Sequence, residues 1–393
     1  MTAYTWGAQV ESGPEVPESG SSLRILICSN AYPPHFMGGA ELMAHEQALA
    51  LSRLGHDVRV FAADPLFAGH SAEQGIRHAR TDNIYQGIRV YRIATEPEDY
   101  SPEFVNFQNS VAEGHFRDVL REFEPQIVHC HNLLGLSVKL PLMARMYGAR
   151  TVCTLHDFWG FCLRNTAVRA DGRACDNSTC CNECLARIHD GRRRHVPMRL
   201  RKDFIRLALE QVDRFIAPSH FVAGRYAWSG LSADRLEVIP NGIDIDRFRA
   251  KRNTSESSLA PVKVTYVGYL GAHKGVITLV EALALPPLED FRVILQLVGE
   301  GPEREACVAR VNALGLQDRV HFLGKVQPAG MASIYAGSDI VVLPSIWDEN
   351  QPVCLMEAMA AGLPVIASRK GGIPELIDDG VNGLMFRAGD PGD

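Results

Sequence analysis

Several features are missing from this sequence of 393 residues, and each absence narrows its class. No apolar run approaches the ~20 residues that a membrane-spanning helix needs. The opening stretch, MTAYTWGAQVESGPEVPESGSS, has no basic segment followed by an apolar one, so we expect a cytoplasmic protein without a secretory signal. A surplus of positive charge is missing too, because the formal net charge is −6, which argues against nucleic acid as the main partner.

What is present indicates a globular protein of two α/β domains. Hydrophobic residues make up 46 % of the chain and charged residues 22 %, and the length suffices for two domains. Strand-like apolar runs alternate with helical segments, which predicts Rossmann-like halves with parallel sheets facing across a cleft. No repeat has the period of a solenoid or propeller. We predict a disordered tail over 1–22, an N-terminal domain over 23–248, a polar linker over 249–261 and a C-terminal domain over 262–393.

The predicted strands are short apolar runs bounded by Gly, Pro and polar residues. They cover 23–29, 57–62, 88–93, 127–130, 151–155, 214–217 and 235–239 in the first half, and 262–268, 292–298, 320–323, 340–343 and 364–367 in the second.

One stretch carries the strongest local signal for a binding site. Residues 340–343 read as a buried strand, Pro352 fits the first turn of a helix, and Gly362 marks the end of that helix. Glu349 then lies before the helix and Glu357 inside it. Backbone N–H groups at a helix start attract phosphate, and ligands gather beyond the carboxyl ends of parallel strands. Taken alone, the pair is also compatible with two solvated surface glutamates.

A series of motifs, in order along the chain, resembles the retaining glycosyltransferases of family 4, which have the GT-B fold of two Rossmann-like domains. The resemblance covers nearly all of residues 23–390. Its motifs are Pro33-Pro34, Gly38-Gly39-Ala40-Glu41, Val128-His-Cys-His131, Leu155-His156-Asp157, Ala217-Pro-Ser219, Val238-Ile-Pro-Asn-Gly-Ile-Asp244, His273-Lys274-Gly275, Val298-Gly-Glu-Gly-Pro302, Glu349 with Glu357, and Gly371-Gly-Ile-Pro-Glu375.

The resemblance implies a set of donor-binding residues. Gly38 and Gly39 would let the backbone approach a diphosphate or donor sugar, where a side chain would obstruct it. Lys274 would neutralise the departing diphosphate. Val353, at the helix start, would offer a backbone N–H to phosphate, which Pro352 cannot do. The backbone of Val326 would contact the nucleotide base.

Three further roles follow from the same resemblance. His156 would lie near the donor sugar, either as a hydrogen-bonding group or as a stabiliser of charge at the anomeric carbon. Glu349 would contact the donor sugar and Glu357 the ribose hydroxyls. His131 is expected to support His156 structurally. At position 269 the family often has Arg, and the Tyr269 of this chain leaves one phosphate-binding charge missing.

The implied activity is transfer of a sugar from a nucleoside-diphosphate-sugar to a glycan or lipid-linked acceptor, with retention of configuration through a front-face mechanism and no metal required. Synthesis of cell-surface polysaccharide or glycolipid is the expected context. Two alternatives remain open: a degenerate, non-catalytic sugar-nucleotide-binding protein, and a phosphorylase or epimerase of the same fold. Because family members usually continue into further helices beyond Asp393, we expect a C-terminal domain that is truncated.

A cysteine-rich insertion over 162–184 lies outside these motifs. Four thiolates can hold zinc tetrahedrally, and the insertion offers Cys162, Cys175, Cys181 and Cys184. Cys162 and Cys175, however, are further apart in the sequence than the first pair of a zinc ribbon. A structural zinc site is our hypothesis, and an iron–sulfur cluster, disulfides or free thiols are the alternatives.

A basic stretch, Arg187–Arg206, contains eight Lys or Arg residues against two Asp. We predict that it lies on a helix of the N-terminal domain. Such a helix could lie on anionic lipid at the inner face of the plasma membrane, or could be a solvated, salt-bridged surface helix.

Overall fold

The computed structural model describes residues 22–65, 76–101, 105–162, 164–169, 173, 175, 181–184, 188–189, 195–249, 260–286, 288 and 291–393. Within these ranges the strands form two large sheets and one short hairpin. None of the described helices combines the length and the apolar character needed to cross a membrane. The predicted tail and linker fall outside the described residues except at 22, 249, 260 and 261.

The first sheet has eight strands and forms the core of the N-terminal half. Its strands are β1 (Arg24–Ser29), β2 (Asp57–Pro65), β3 (Arg80–Tyr85), β4 (Ile88–Thr95), β5 (Ile127–Cys130), β6 (Arg150–Thr154), β9 (Arg214–Ala217) and β10 (Leu236–Val238). They are ordered β10-β9-β6-β5-β1-β2-β4-β3, and every pairing is parallel except that of β3 with β4. The helices of this half are α1 (Gly39–Arg53), α2 (Ser110–Phe123), α3 (Leu140–Met146), α4 (Cys181–Cys184), α5 (Met198–Leu209) and α6 (His220–Trp228).

The second sheet has six parallel strands. These are β11 (Val262–Val267), β12 (Val293–Val298), β13 (Val320–Gly324), β14 (Ile340–Leu343), β15 (Val365–Ser368) and β16 (Leu384–Phe386), in the order β13-β12-β11-β14-β15-β16. Its helices are α7 (Val276–Ala282), α8 (Arg304–Ala313), α9 (Met331–Ala336) and α10 (Val353–Ala360). In each sheet the chain first adds strands on one side of the first strand, β1 or β11, and then crosses to the other side of it. Open α/β sheets bind ligands at this crossover point.

Local sequence explains these elements. In β1 every residue after Arg24 is buried, as expected for a central parallel strand that is covered on both faces. Helix α2 begins where the side chain of Asn109 accepts a hydrogen bond from Ala112 N. It buries an apolar face that includes Phe116 and Leu120, each worth about 1.5–3 kcal/mol when removed from water.

The prediction of two α/β halves with parallel sheets is confirmed, and each predicted strand coincides with an observed one. The sequence does not predict β3, β16 or the hairpin of β7 (Ile188–His189) and β8 (His195–Val196). Strand β3 is largely exposed and polar, so it has no apolar run to mark it.

The prediction of one basic helix over 187–206 is wrong in its first half. There β7 pairs antiparallel with β8, and α5 begins only at Met198, after Pro197. Residues 190–194, with the Arg192-Arg-Arg194 cluster, lie outside the described residues. Within α5, Arg201 is buried rather than exposed.

Candidate active site

The centre of the site is the loop that leads from β14 into α10. Pro352 has extended backbone and caps the helix, so Val353 supplies one of the first-turn N–H groups that lack an intrahelical acceptor. Another loop, at Gly275, packs directly against this one. Gly275 has a left-handed backbone (φ +66), and a Cβ there would overlap the carbonyl oxygen of Pro344. The glycine therefore allows Lys274 to reach the loop.

Glu349 is 6 % exposed and accepts several hydrogen bonds in this loop. Its Oε1 accepts from Lys274 Nζ at 2.6 Å, from Trp347 Nε1 at 2.7 Å and from the hydroxyl of Ser345. Burial acts to raise the pKa of Glu349, but the charge of Lys274 and the three hydrogen bonds outweigh it, so the pKa is lowered. The result is an ionised carboxylate that holds a lysine in one position.

Lys274 has a second contact that fixes it. Its ammonium lies 4.7 Å from the centre of the Trp347 ring, a cation–π distance. The side chain is 17 % exposed, against 8 % for that of Glu349. The pair is thus largely buried in protein, and the lysine is the more exposed of the two side chains.

Glu357 lies one turn into α10 and is also buried, at 8 % exposure. Tyr335 of α9 donates a hydrogen bond to its Oε2 at 2.8 Å. Burial raises the pKa of Glu357, and the hydrogen bond from Tyr335 opposes that effect. Neither Glu349 nor Glu357 is a solvated surface residue, which excludes that interpretation of the pair.

The N-terminal domain contributes a stack of imidazoles. His156 Nε2 and His131 Nδ1 share a hydrogen bond of 2.7 Å, and His131 Nε2 lies 2.9 Å from Gln47 Oε1. With the Gln47 oxygen as acceptor, His131 is protonated on Nε2, and its Nδ1 accepts from His156. Burial lowers the pKa of His156 to about 3, and the neighbouring His129 adds to this. His156 is therefore a neutral imidazole at pH 7.

Asp157 follows His156 and is a second titratable group on the N-terminal side of the site. Burial raises its pKa to about 7. Its carboxylate accepts hydrogen bonds from Trp159 N at 2.7 Å and from Asn132 Nδ2 at 3.0 Å, which oppose that rise. From the sequence, Asp157 is visible only as part of a motif, because burial cannot be read from the Leu-His-Asp pattern.

Asn350 connects the two halves of the site. Its Nδ2 donates to the backbone oxygens of Leu155 (3.0 Å) and His156 (3.2 Å), and its Oδ1 accepts from the Ser219 hydroxyl at 2.9 Å. Since Asn350 follows Glu349, these bonds bring the carboxylate loop and the His156 loop together. Sequence reasoning missed this residue, because only the folded chain shows its partners.

The loop that contains Gly38 and Gly39, called the glycine loop, approaches the start of α10 from the N-terminal domain. Gly38 caps α1 in extended backbone, and its N–H donates to Glu41 Oε2 at 2.8 Å. A Cβ on Gly39 would lie 3.0 Å from Val353 Cγ2, so this glycine packs on the start of α10. Lys325 Nζ donates to Phe36 O at 3.3 Å, which places the residue before Val326 beside the glycine loop.

One other residue singled out from the sequence has a clear position. Tyr269 is 51 % exposed, and its ring centre lies 6.1 Å from that of His273, so an aromatic ring stands where the resemblance expects a cation. Trp347 and Tyr335 hold the two glutamates, but neither is predicted from the sequence. Their signal is weak, since an aromatic residue near a glutamate is usually part of a core.

Four cysteines of the insertion are among the described residues, and all four belong to the N-terminal half. Cys162 and Cys175 pack, partly buried, against the N-terminal core, while Cys181 and Cys184 stand at the two ends of α4. Within the described ranges, no three His, Cys, Asp or Glu residues are already arranged around one metal position. The zinc hypothesis therefore stays a prediction.

Two parallel α/β domains that face each other across this site define a glycosyltransferase with the GT-B fold. The model of "Glycosyltransferase Family 4" matches residues 37–247, and that of "Glycosyl transferases group 1" matches residues 261–393. The chain belongs to Glycosyltransferase Family 4.

Individual relatives agree with this membership. The chain is 26 % identical to the glycogen synthase of Mycobacterium tuberculosis over 382 residues, covering 92 % of this chain and 82 % of the relative. It is 31 % identical to the phosphatidyl-myo-inositol mannosyltransferase of Mycobacterium leprae over 172 residues, covering 43 % of this chain and 44 % of the relative.

Solved structures share the fold. Anabaena Alr3699/HepE in complex with UDP has a TM-score of 0.64 and 22 % identity, covering 94 % of this chain and 87 % of that chain. The catalytic domain of Starch Synthase IV from Arabidopsis thaliana, bound to ADP and acarbose, has a TM-score of 0.65 and 18 % identity, covering 94 % and 89 %. At these identities the likeness establishes the GT-B fold alone.

Proposed function

We propose that this protein transfers a sugar from a nucleoside-diphosphate-sugar to a glycan or lipid-linked acceptor with retention of configuration. The observation that carries the proposal is the buried Lys274–Glu349 pair at the start of α10. A lysine held at 2.6 Å by an ionised carboxylate, beside first-turn N–H groups, is a preorganised site for the charge of a departing diphosphate. No metal is needed for that charge.

The donor nucleotide would lie along α10. Val353 N–H faces the phosphates, the Glu357 carboxylate accepts from the ribose hydroxyls, and the backbone of Val326 contacts the base. Tyr335 keeps the Glu357 carboxylate in a single orientation. UDP and ADP complexes of structural neighbours support a nucleoside diphosphate as the donor class.

The chemical step would take place on one face of the sugar. The bond between the anomeric carbon and the diphosphate oxygen breaks, and the acceptor oxygen forms its bond to the same face of that carbon. The acceptor proton passes to the departing phosphate oxygen. His156, neutral at pH 7, would orient a donor hydroxyl by hydrogen bonding rather than transfer a proton.

Donor binding tests the proposal. UDP-, GDP-, ADP- and TDP-sugars are titrated calorimetrically into the full chain without added metal, and hydrolysis of each is followed. We expect one saturable donor, whose binding is lost in Glu357→Ala. Glu305→Ala is the matched control, because Glu305 is an exposed glutamate of α8 in the same domain. Absence of binding by every donor would contradict the proposal, whereas binding of a donor without hydrolysis or transfer would favour the degenerate, non-catalytic sugar-nucleotide-binding protein.

A membrane contact of α5 would bring the enzyme to a lipid-linked acceptor. Two basic and two apolar side chains share exposed positions seven residues apart: Arg199 with Arg206, and Leu200 with Leu207. Such a face is typical of helices that lie in a membrane interface, each basic residue adding about 1 kcal/mol near anionic lipid.

Vesicle co-sedimentation separates this contact from a solvated helix. We expect binding that rises with the content of anionic lipid and falls in Arg199→Ser/Arg206→Ser. Arg117→Ser/Arg121→Ser removes the same charge from the exposed face of α2 and should bind as the unmodified protein does. Binding that ignores lipid charge, or equal losses in the two variants, would contradict the contact.

A further inference from the structure

Two of the sequence motifs have no role in the donor site, yet the folded chain brings them together. Ala217-Pro-Ser219 ends β9 in the N-terminal domain and leads into α6. Gly371-Gly-Ile-Pro-Glu375 follows β15 in the C-terminal domain. Hydrogen bonds between these two segments connect the domains beside the loop that carries Glu349.

The main contact is made by the carboxylate of Glu375 at the start of α6. Its Oε2 accepts a hydrogen bond from His220 N and its Oε1 accepts one from Phe221 N, each at 2.7 Å. The next amide, Val222 N, donates to the hydroxyl of Ser219 at 3.3 Å. N–H groups of the first turn have no acceptor within their own helix, and the helix dipole favours a carboxylate there. Helix α6 therefore obtains two of these acceptors from the opposite domain.

On the C-terminal side, the turn that carries Glu375 is bonded to the loop between β14 and α10. Gly372 N donates to Glu349 O at 2.7 Å. A Cβ on Gly372 would overlap Asn350 O, so only glycine lets the two segments pack this closely. Asn350 also accepts from the Ser219 hydroxyl at 2.9 Å. The position of Glu375 is thus coupled to that of Glu349.

On the N-terminal side, α6 is connected to the segment that carries His156. The carboxyl ends of β6 and β9 are adjacent, and Leu155 N donates to Ile216 O at 2.8 Å. The hydroxyl of Tyr226, a residue of α6, donates to Asp157 O at 2.9 Å. A shift of α6 relative to the C-terminal domain would therefore be transmitted to the residues on either side of His156.

We propose that Glu375 is a positioning residue for sugar transfer. Its carboxylate holds the start of α6, and thereby sets His156 and the Lys274–Glu349 pair at the separation that one donor requires. This inference rests on the proposed function, because only there do the two groups act on one molecule. Glu375 acts through charge-assisted hydrogen bonds to two backbone N–H groups, so both oxygens and the charge of its carboxylate are needed, and not only its volume.

Glu375→Gln separates this role from simple packing. The side chain keeps its shape, but the amide has one acceptor oxygen, and its NH2 group cannot accept from the second N–H. We expect its effect to lie between those of the unmodified side chain and Glu375→Ala. A glutamine variant that behaves as the unmodified protein does would indicate packing alone and overturn the proposal.

His220→Pro is the matched change on the other side of the contact. His220 is the first residue of α6, where proline is tolerated, so the variant removes one N–H donor and keeps the helix. Glu305→Ala, in α8, is the control for loss of an exposed glutamate of the C-terminal domain.

Hydrogen–deuterium exchange, followed by mass spectrometry, tests the contact in the full chain without a donor. Peptides that cover the first turn of α6 should exchange about 3–30-fold faster in Glu375→Ala, as expected when a helix loses its N-terminal acceptors. Glu305→Ala should exchange as the unmodified protein does. Unchanged exchange in Glu375→Ala would overturn the proposal.

Kinetics test the positioning role, with whichever of the UDP-, GDP-, ADP- and TDP-sugars the unmodified protein hydrolyses. We expect kcat for hydrolysis to fall about 3–30-fold in Glu375→Ala. The donor dissociation constant should change less, because Lys274, Glu349 and Glu357 all belong to the C-terminal domain. The double variant with His220→Pro should be no slower than Glu375→Ala alone, since both changes break one contact.

The two readouts keep this inference distinct from the proposed function. Faster exchange in Glu375→Ala with an unchanged kcat would overturn the positioning role while leaving the transferase reaction in place. If the unmodified protein bound none of the donors, the proposed function would fail, and the positioning role would fail with it. The exchange rates would still decide whether Glu375 holds α6.

Discussion

The Lys274–Glu349 pair gives the prediction with the best-defined magnitude. Its atoms are 2.6 Å apart and its side chains 17 % and 8 % exposed. Removing one partner of a buried pair costs about 3–5 kcal/mol. For Lys274→Met we expect the lower end, about 3 kcal/mol, because Glu349 keeps its donors on Ser345 and Trp347. For Glu349→Gln we expect about 2 kcal/mol, since the amide keeps an acceptor and the lysine can turn to solvent.

The double variant should then be less destabilised than the two single variants added together. We expect it to cost about 3 kcal/mol, which gives a coupling of about 2 kcal/mol between the side chains. The free energies are measured by urea unfolding followed by circular dichroism, with equal m-values as the check that the variants unfold in the same way. A coupling below about 0.5 kcal/mol would refute the picture of a buried, interacting pair.

An exposed ion pair of the same domain is the matched control. Arg310 Nη2 lies 2.8 Å from Glu281 Oε1, but these side chains are 42 % and 34 % exposed. The double-mutant cycle of Arg310→Met and Glu281→Gln should give a coupling energy of only about 0.2–1 kcal/mol.

The stabilisation from the Lys274–Glu349 pair should also depend on pH. Because its carboxyl has a lowered pKa in the folded protein, the stabilisation is present at neutral pH and is lost as pH falls through that pKa.

Two further predictions concern Asp157 and Gln47, on the N-terminal side of the site. The pKa of Asp157 is raised from 3.8 to about 7, so the unfolded state loses its proton first, and stability should fall as pH rises between these values. Melting temperatures of Asp157→Asn should lack that decline, and an identical slope in both proteins would contradict the assignment. Gln47→Leu removes the partner of His131 and should cost about 1–3 kcal/mol of stability while lowering kcat more than it raises the KM for the donor. Gln47→Glu should restore kcat, and full activity of the leucine variant would show that the tautomer of His156 does not matter.

Much of the fold could be predicted because its strands are continuous apolar runs. A buried parallel strand such as 340–343 needs apolar residues on both faces, and the glycines and prolines that end it are visible in the sequence. Strand β3 has no such signal, because its exposed residues gain their structure from pairing with β4. The prediction of one helix for the basic stretch was wrong because it rested on charge alone. In the structure, the β7–β8 pairing and Pro197 separate the first part of the stretch from α5.

Only part of the site could be predicted from the sequence, and there is a physical reason why some residues were found and others were not. Glu349 and Glu357 stand at a fixed spacing around a helix start, which the sequence displays. Their partners Trp347 and Tyr335 are recognised only once the chain has folded, since the contact between Tyr335 and Glu357 joins two helices. Arg201 illustrates the limit, because a basic residue within a basic stretch is expected to be solvated.

In the proposed function, the adjacent residues Glu349 and Asn350 together determine how the two domains act on one donor. Glu349 holds Lys274 of its own domain, whereas Asn350 holds the carbonyl of His156 in the other. Behind them, a Cβ on Gly371 would overlap the Glu349 backbone, so only glycine lets this loop pack there. The lysine that would neutralise the diphosphate and the imidazole that would orient the sugar are thus attached to consecutive residues of one rigid loop. A change in domain orientation that released Asn350 would separate the two groups, so catalytic competence should depend on closure of the domains around the donor.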